Sequence, residues 1–142
     1  SGTMELLSVR RGRVTVLTPH EGEFLRAGGD LTPGREEAAR RFARLHGVYL
    51  ILKGHRTVIA APDGRCAVNP TGNAGMAKGG SGDVLSGMVL SLLGQGMEPF
   101  AACCAAAFLH GRAGDLAARE LGERGMTPSD LLERIPRAFL SL

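Results

Sequence analysis

The chain has 142 residues, 44% of them hydrophobic and 22% charged, which describes one globular domain long enough to bury a core. The net charge of +3 is spread along the chain, and one Tyr and five Phe leave little to stack on bases, so nucleic acid is not the expected partner. No apolar run reaches the ~18 residues of a membrane span and no signal-peptide pattern is present, so no membrane partner and a cytoplasmic location are expected.

Ser1-Gly-Thr ahead of Met4 reads as a cloning remnant, and residues 4–142 as a single domain without repeats or linkers. The β-branched run Arg13 to Thr18 predicts a strand, closed by a turn that Pro19 and Gly22 impose. A short helix follows through Phe24 and Leu25 to Gly28. Arg35 to His46 places Ala38, Ala39, Phe42, Ala43 and Leu45 among Glu and Arg, an amphipathic helix stopped at Gly47. Val48 to Leu52 is continuously apolar, as a strand covered on both faces would be. Val58 to Ala61 and Cys66 to Val68, joined by Pro62-Asp63-Gly64-Arg65, predict an antiparallel hairpin. The remainder is helical. Pro99 opens an Ala-rich helix in which Gly111 and Gly114 allow a close crossing or a break. Thr127-Pro128 starts a last helix that Pro136 ends or kinks. Together these elements predict an α/β layered domain, its sheet mostly parallel with an antiparallel hairpin. With so little chain before the first of these strands, it reads as the second half of a larger fold.

Between hairpin and helices lies the most informative stretch, Asn69 to Gly87. Five glycines in eleven residues, Gly72, Gly75, Gly79, Gly80 and Gly82, run directly into a helix whose stripe is Val84, Leu85, Met88, Val89, Leu92 and Leu93. A glycine loop entering a helix leaves unpaired N–H groups at the positive end of the helix dipole, which suits phosphate. No Gly-Lys-Ser/Thr closes it as in a P-loop, and Leu85 stands where a dinucleotide fingerprint needs its third glycine. Ser81 or Asp83 acting only as a helix cap would need one such residue, not this many glycines with a lysine among them. Asp83 at the mouth of an anion site points to a role other than binding phosphate.

Of seventeen basic residues only Lys53 and Lys78 are lysines, and both lie beside glycine. A compact point charge near phosphate explains that placement. Cys66, Cys103 and Cys104 lack metal-ligand spacing and read as small buried hydrophobes in a reducing compartment. His46 and His110 have no motif around them and read as structural.

Thr18-Pro19-His20-x-Gly22-Glu23, Leu52-Lys53-Gly54 and Asn69-x-Thr71-Gly72-Asn73 through Gly82-Asp83-Val84-Leu85-Ser86-Gly87 together resemble the carboxy-terminal domain of the YjeF type. These are the ADP- or ATP-dependent NAD(P)H-hydrate dehydratases, of ribokinase-like fold. The resemblance covers Val14 to nearly the end and departs in length, because the family's domain is longer and its first half is missing here. It implies removal of water from hydrated NADH or NADPH at the expense of a nucleoside phosphate, ADP or ATP, with Mg2+ accompanying the nucleotide. It implies nucleotide contacts at Lys53, Gly54, His55, Arg56 and Thr57, and at Asn73, Ala74, Gly75, Met76, Ala77, Lys78, Gly79, Gly80, Ser81 and Gly82. His20 and Asp83 would face the hydrated cofactor, with Asp83 catalytic, no metal would be held by a protein motif, and the protein would be a homo-oligomer.

Plainer roles stand beside these. His20 after a proline turn could bond a neighbouring backbone group, Lys53 could be a surface residue at a strand end, and Glu23 a first-turn helix acid. Two other functions stay open: a small-molecule kinase of the same fold, acting on a sugar or vitamin precursor, and a catalytically incomplete nucleotide-binding fragment. No residue decides between ADP and ATP, and ADP is favoured on composition.

Overall fold

A computed structural model describes residues 6–9, 14–76 and 80–140. The first three residues and Met4, Arg13 of the expected first strand, and Ala77, Lys78 and Gly79 of the glycine loop lie outside the described residues.

A five-stranded sheet runs in the order β1 (Leu6–Val9), β2 (Val14–Leu17), β3 (Tyr49–Leu52), β4 (Val58–Ala60), β5 (Cys66–Val68). The hairpin is β4–β5, as expected. The expected mostly parallel sheet is corrected: β2–β3 pairs parallel, while β1–β2, β3–β4 and β4–β5 are antiparallel. Chain length between strands explains this. Residues 53–57 and 61–65 are long enough only for tight antiparallel turns, whereas the β2-to-β3 connection carries two helices and can cross over. Strand β1 has no counterpart among the elements expected from the sequence.

The β2–β3 crossover holds α1 (Glu21–Arg26) and α2 (Arg35–His46). Helix α2 has the expected bounds. Glu36 and Glu37 sit in its first turn and Arg44 and His46 in its last, complementing the dipole, and Gly47 ends it in the left-handed conformation (φ 64°). After β5 come α3 (Ser81–Gly94), α4 (Pro99–Leu121) and α5 (Pro128–Leu140). The Glu98 carboxylate accepts from the Ala101 N–H at 3.0 Å and Pro99 begins α4, so that helix is capped at the residue where proline costs nothing. Pro136 does not end α5, which continues to Leu140.

Strand pleating sorts the core into two layers. Val16, Ile51 and Ile59 face α3 and α4, meeting Leu85, Val89, Leu92, Ala102, Cys103 and Ala106. Leu50, Leu52, Val58 and Ala60 face the other way onto Phe24, Ala38, Ala39, Phe42 and Ala43. The sheet is therefore sandwiched between helices, the three-layer arrangement expected. A third cluster, Leu109, Ala113, Ala117, Met126, Leu131 and Ala138, packs α5 against α4. Cys103 is buried and Cys66 and Cys104 partly so, all three as free thiols, and burial pushes the Cys103 thiol up to about 12.

Candidate active site

Two chain segments meet where the parallel strands end. Beyond β2 and β3 the ladder continues through a single parallel bridge between His20 and Lys53, and the Lys53 N–H donates to the Pro19 carbonyl at 2.8 Å. The Thr-Pro-His turn and the Lys-Gly turn thus leave the same sheet end side by side. Such carboxyl ends are where open α/β sheets place ligands.

Lys53 reaches from there to α3. A Cβ built on Gly82, in the first turn of that helix, would lie 3.1 Å from Lys53 Nζ. An ammonium set against the positive end of a helix dipole is unfavourable unless an anion is shared between them. Gly80 precedes the helix at φ 92°, a backbone conformation that side-chain-bearing residues rarely adopt, and Asp83 is exposed in the first turn. Lys53 therefore stands against the α3 terminus, and Asp83 lies in the same first turn.

Beneath the same turn lies His110, buried in α4, with Nε2 3.0 Å from the Ser81 carbonyl and 3.3 Å from Ser81 Oγ. A carbonyl can only accept, so Nε2 carries the hydrogen. Burial pushes the His110 imidazole down to about 4; the bond to Ser81 opposes this and the Lys53 charge adds to it. Above pH ~6.5 His110 is neutral folded and unfolded. As pH falls from ~6.5 towards ~4, only the unfolded chain takes up the proton, so stability declines by up to about 3 kcal/mol. Urea unfolding across that window is expected to show the decline, and His110→Gln to lack this part of it. Equal slopes for both proteins would contradict the assignment.

The loop before α3 is fastened to α4 by side chains. Asn69, itself buried, donates to the Ala107 carbonyl at 2.9 Å and accepts from the Thr71 N–H at 3.2 Å. The Thr71 hydroxyl is 2.9 Å from Asn69 Oδ1 and 3.0 Å from the Phe108 carbonyl. Asp115 accepts from the Gly72 N–H at 3.1 Å and from Asn73 Nδ2 at 3.0 Å, and Asn73 Oδ1 accepts from the Gly75 N–H at 3.0 Å. Gly111 makes the contact possible, because a Cβ there would meet the Thr71 backbone at 2.8 Å. Met76, in the turn Ala74–Met76, lies where a Cβ on Gly114 would stand, and Gly75 is closed in by the Glu123 carbonyl. The two α4 glycines thus admit the loop, and α4 is unbroken.

The other residues singled out by the sequence lie as follows. Gly54, His55 and Arg56 form an exposed turn, with Arg56 at φ 60° and the Thr57 hydroxyl 3.3 Å from the Gly54 carbonyl. The Arg35 guanidinium backs that turn, donating to the Leu52 carbonyl at 3.1 Å and pairing with Glu21. His20 caps α1: its Nδ1 accepts from the Glu23 N–H at 3.1 Å, and its Nε2 is 2.8 Å from Glu23 Oε1. Sequence reasoning missed Arg35 and Asp115, isolated charges in helices with no local motif around them. The Thr18 hydroxyl is buried with no partner among the described residues. No group of His, Cys, Asp or Glu among the described residues could hold a metal ion, and no described helix is long and apolar enough to cross a membrane.

The three-layer α/β domain, with a helix terminus at the carboxyl end of its parallel strands, superposes on solved structures of ribokinase-like class. Residues 3–137 match the model of the NAD(P)H-hydrate dehydratase family, and the chain belongs to that family. It is 50% identical over 131 residues to the bifunctional NAD(P)H-hydrate repair enzyme Nnr of Moorella thermoacetica, covering 89% of this chain and 25% of that protein. With the ADP-dependent (S)-NAD(P)H-hydrate dehydratase of Bacillus subtilis it shares 41% over 134 residues, 92% of this chain and 48% of the other. The crystal structure of the B. subtilis ADP/ATP-dependent NAD(P)H-hydrate dehydratase co-crystallised with ATP/Mg2+ superposes with a TM-score of 0.83 at 40% identity, over 89% of this chain and 47% of that one. A ribokinase-like protein of Enterococcus faecalis superposes with a TM-score of 0.74 at 30% identity, over 89% and 44%. The chain spans about half the length of the B. subtilis dehydratase and about a quarter of the bifunctional relative.

Proposed function

We propose that this chain provides the nucleotide and proton-transfer machinery of a dehydratase that restores hydrated NADH or NADPH with ADP or ATP. The observation that carries this reading is Lys53 Nζ standing against Gly82 in the first turn of α3, directly before Asp83. That pairing suits the phosphates of a nucleotide with its Mg2+, held by Lys53 and the N–H groups of residues 80–82. The nucleotide would supply a phosphoryl group that turns the ring hydroxyl into a leaving group.

The chain's own residues then have distinct tasks. Asp83 takes the proton of the ring hydroxyl, and the helix terminus and Lys53 stabilise charge on the phosphoryl oxygens. His20, next to Lys53 on the sheet end, lines the side where the hydrated cofactor would enter, and Gly54, His55, Arg56 and Thr57 border the nucleotide. Ala77, Lys78 and Gly79 belong to the same proposal by the family resemblance alone. The protein would act as a cytoplasmic homo-oligomer on small molecules, with neither nucleic acid nor membrane as partner; its free thiols support the compartment.

Product analysis tests the reading. Hydrated NADH is supplied with ADP or ATP, and dihydronicotinamide absorbance and phosphate are followed together. Nucleotide-dependent recovery of absorbance with equal release of phosphate is expected. A stable phosphorylated product would instead identify a kinase, and nucleotide binding without either product an incomplete site.

A further inference from the structure

The clamp between α4 and the glycine loop is built on an acid that faces two donors. Both Asp115 oxygens face donors: Oδ2 takes the Gly72 N–H and Oδ1 takes Asn73 Nδ2. Only a carboxylate offers an acceptor on each of its two branches in that arrangement. The bonds then continue outward, because Asn73, held by its amide nitrogen, turns its oxygen to the Gly75 N–H. Two hydrogen bonds in series, with the Gly72 bond beside them, thus connect the middle of α4 to the backbone that leads into α3. The partners are 43 and 42 positions apart, so the link is tertiary and not part of a local turn.

The same helix supports the other end of the loop. His110, just over one turn before Asp115, holds Ser81 at the start of α3. Asn69 and Thr71 reach the Ala107 and Phe108 carbonyls up to one turn earlier still. Helix α4 therefore fixes both ends of the stretch that presents the α3 terminus to Lys53, and Asp115 brings a carboxylate to that support.

We infer that Asp115 is a positioning residue for nucleotide: through Asn73 it holds the backbone of residues 72–75, and with it sets the affinity for the nucleotide phosphates. Asp115 touches no reacting atom. The inference rests on the proposed nucleotide site, so its consequence is a change in nucleotide KM larger than any change in kcat. In Asp115→Asn an NH2 group opposes a donor and one of the two bonds is lost. A bond to a charged acceptor carries enough free energy for about a 10-fold or greater effect.

A swap of chemistry distinguishes positioning from mere folding. Asn73→Asp alone leaves two carboxylates facing one another. In the double variant Asp115→Asn with Asn73→Asp, the amide now at position 115 donates to position 73 and still accepts from the Gly72 N–H. The carboxylate now at position 73 still accepts from the Gly75 N–H.

The test measures nucleotide KM and kcat for the wild type, both single variants and the double variant, together with amide exchange at Gly72 and Gly75. Each single variant is expected to raise nucleotide KM about 10-fold or more, with a smaller change in kcat and exchange at least several-fold faster. The double variant is expected to return amide exchange at Gly72 and Gly75 to within about 3-fold of wild type. Unchanged KM and exchange in Asp115→Asn, or no recovery in the double variant, would overturn the inference. Should the wild type take up no nucleotide, the functional reading fails by itself; exchange at Gly72 and Gly75 still decides whether Asp115 holds the loop.

Discussion

Asp83→Asn is expected to reduce dehydration about 10²- to 10⁴-fold while leaving nucleotide affinity equal or slightly tighter. The substitution is nearly isosteric, and Asp83 is exposed in the first turn of α3, so little packing is disturbed. What disappears is a proton acceptor. The direction of the binding effect follows from charge: a carboxylate beside an anion site repels phosphate, and an amide does not. Loss of turnover with loss of binding would mean that Asp83 holds the loop together instead. Unchanged turnover in single-turnover kinetics would remove Asp83 from the chemistry.

Lys53→Met is expected to weaken ADP and ATP by about 10- to 100-fold and to leave adenosine unaffected. Methionine keeps the length and apolar stem of lysine but not the ammonium, which is the group 3.1 Å from a Cβ at Gly82. A charge-assisted contact to phosphate is worth about 1.5–3 kcal/mol, which converts to that range of affinity. Taking a cation away from the positive end of α3 also removes a repulsion in the free protein, so the variant is expected to unfold no more readily than wild type. Those two effects together separate a ligand-binding lysine from a surface one.

Local signals carried over well and distant ones did not. Helix α2 has the bounds its apolar stripe and Gly47 specify, because amphipathic period and cap are written within the element itself. Cys66–Val68 and the start of α3 likewise follow from adjacent turn and glycine residues. His110 is structural as expected, although the partner that makes it so, Ser81, lies 29 positions away. Gly111 was readable as a place of close approach, but what approaches it is the Thr71 loop and not another helix. Sheet direction misled because β-branched runs with helices between them look parallel, while strand spacing decides the pairing. Asp115 and Arg35 were out of reach for a simpler reason. Each is a lone charge on a helix whose partners are in another element, and no spacing rule reports such a pair.

Nucleotide phosphate shared between Lys53 and the first turn of α3 would make ADP and ATP binding depend on that lysine. Calorimetric titration of ADP, ATP and adenosine into wild type and Lys53→Met tests it most directly. The predicted result is that ADP and ATP bind the wild type and lose about 10-fold or more in the variant, with adenosine equal in both. ADP binding that is indifferent to Lys53 would contradict the account and move the phosphate site away from α3.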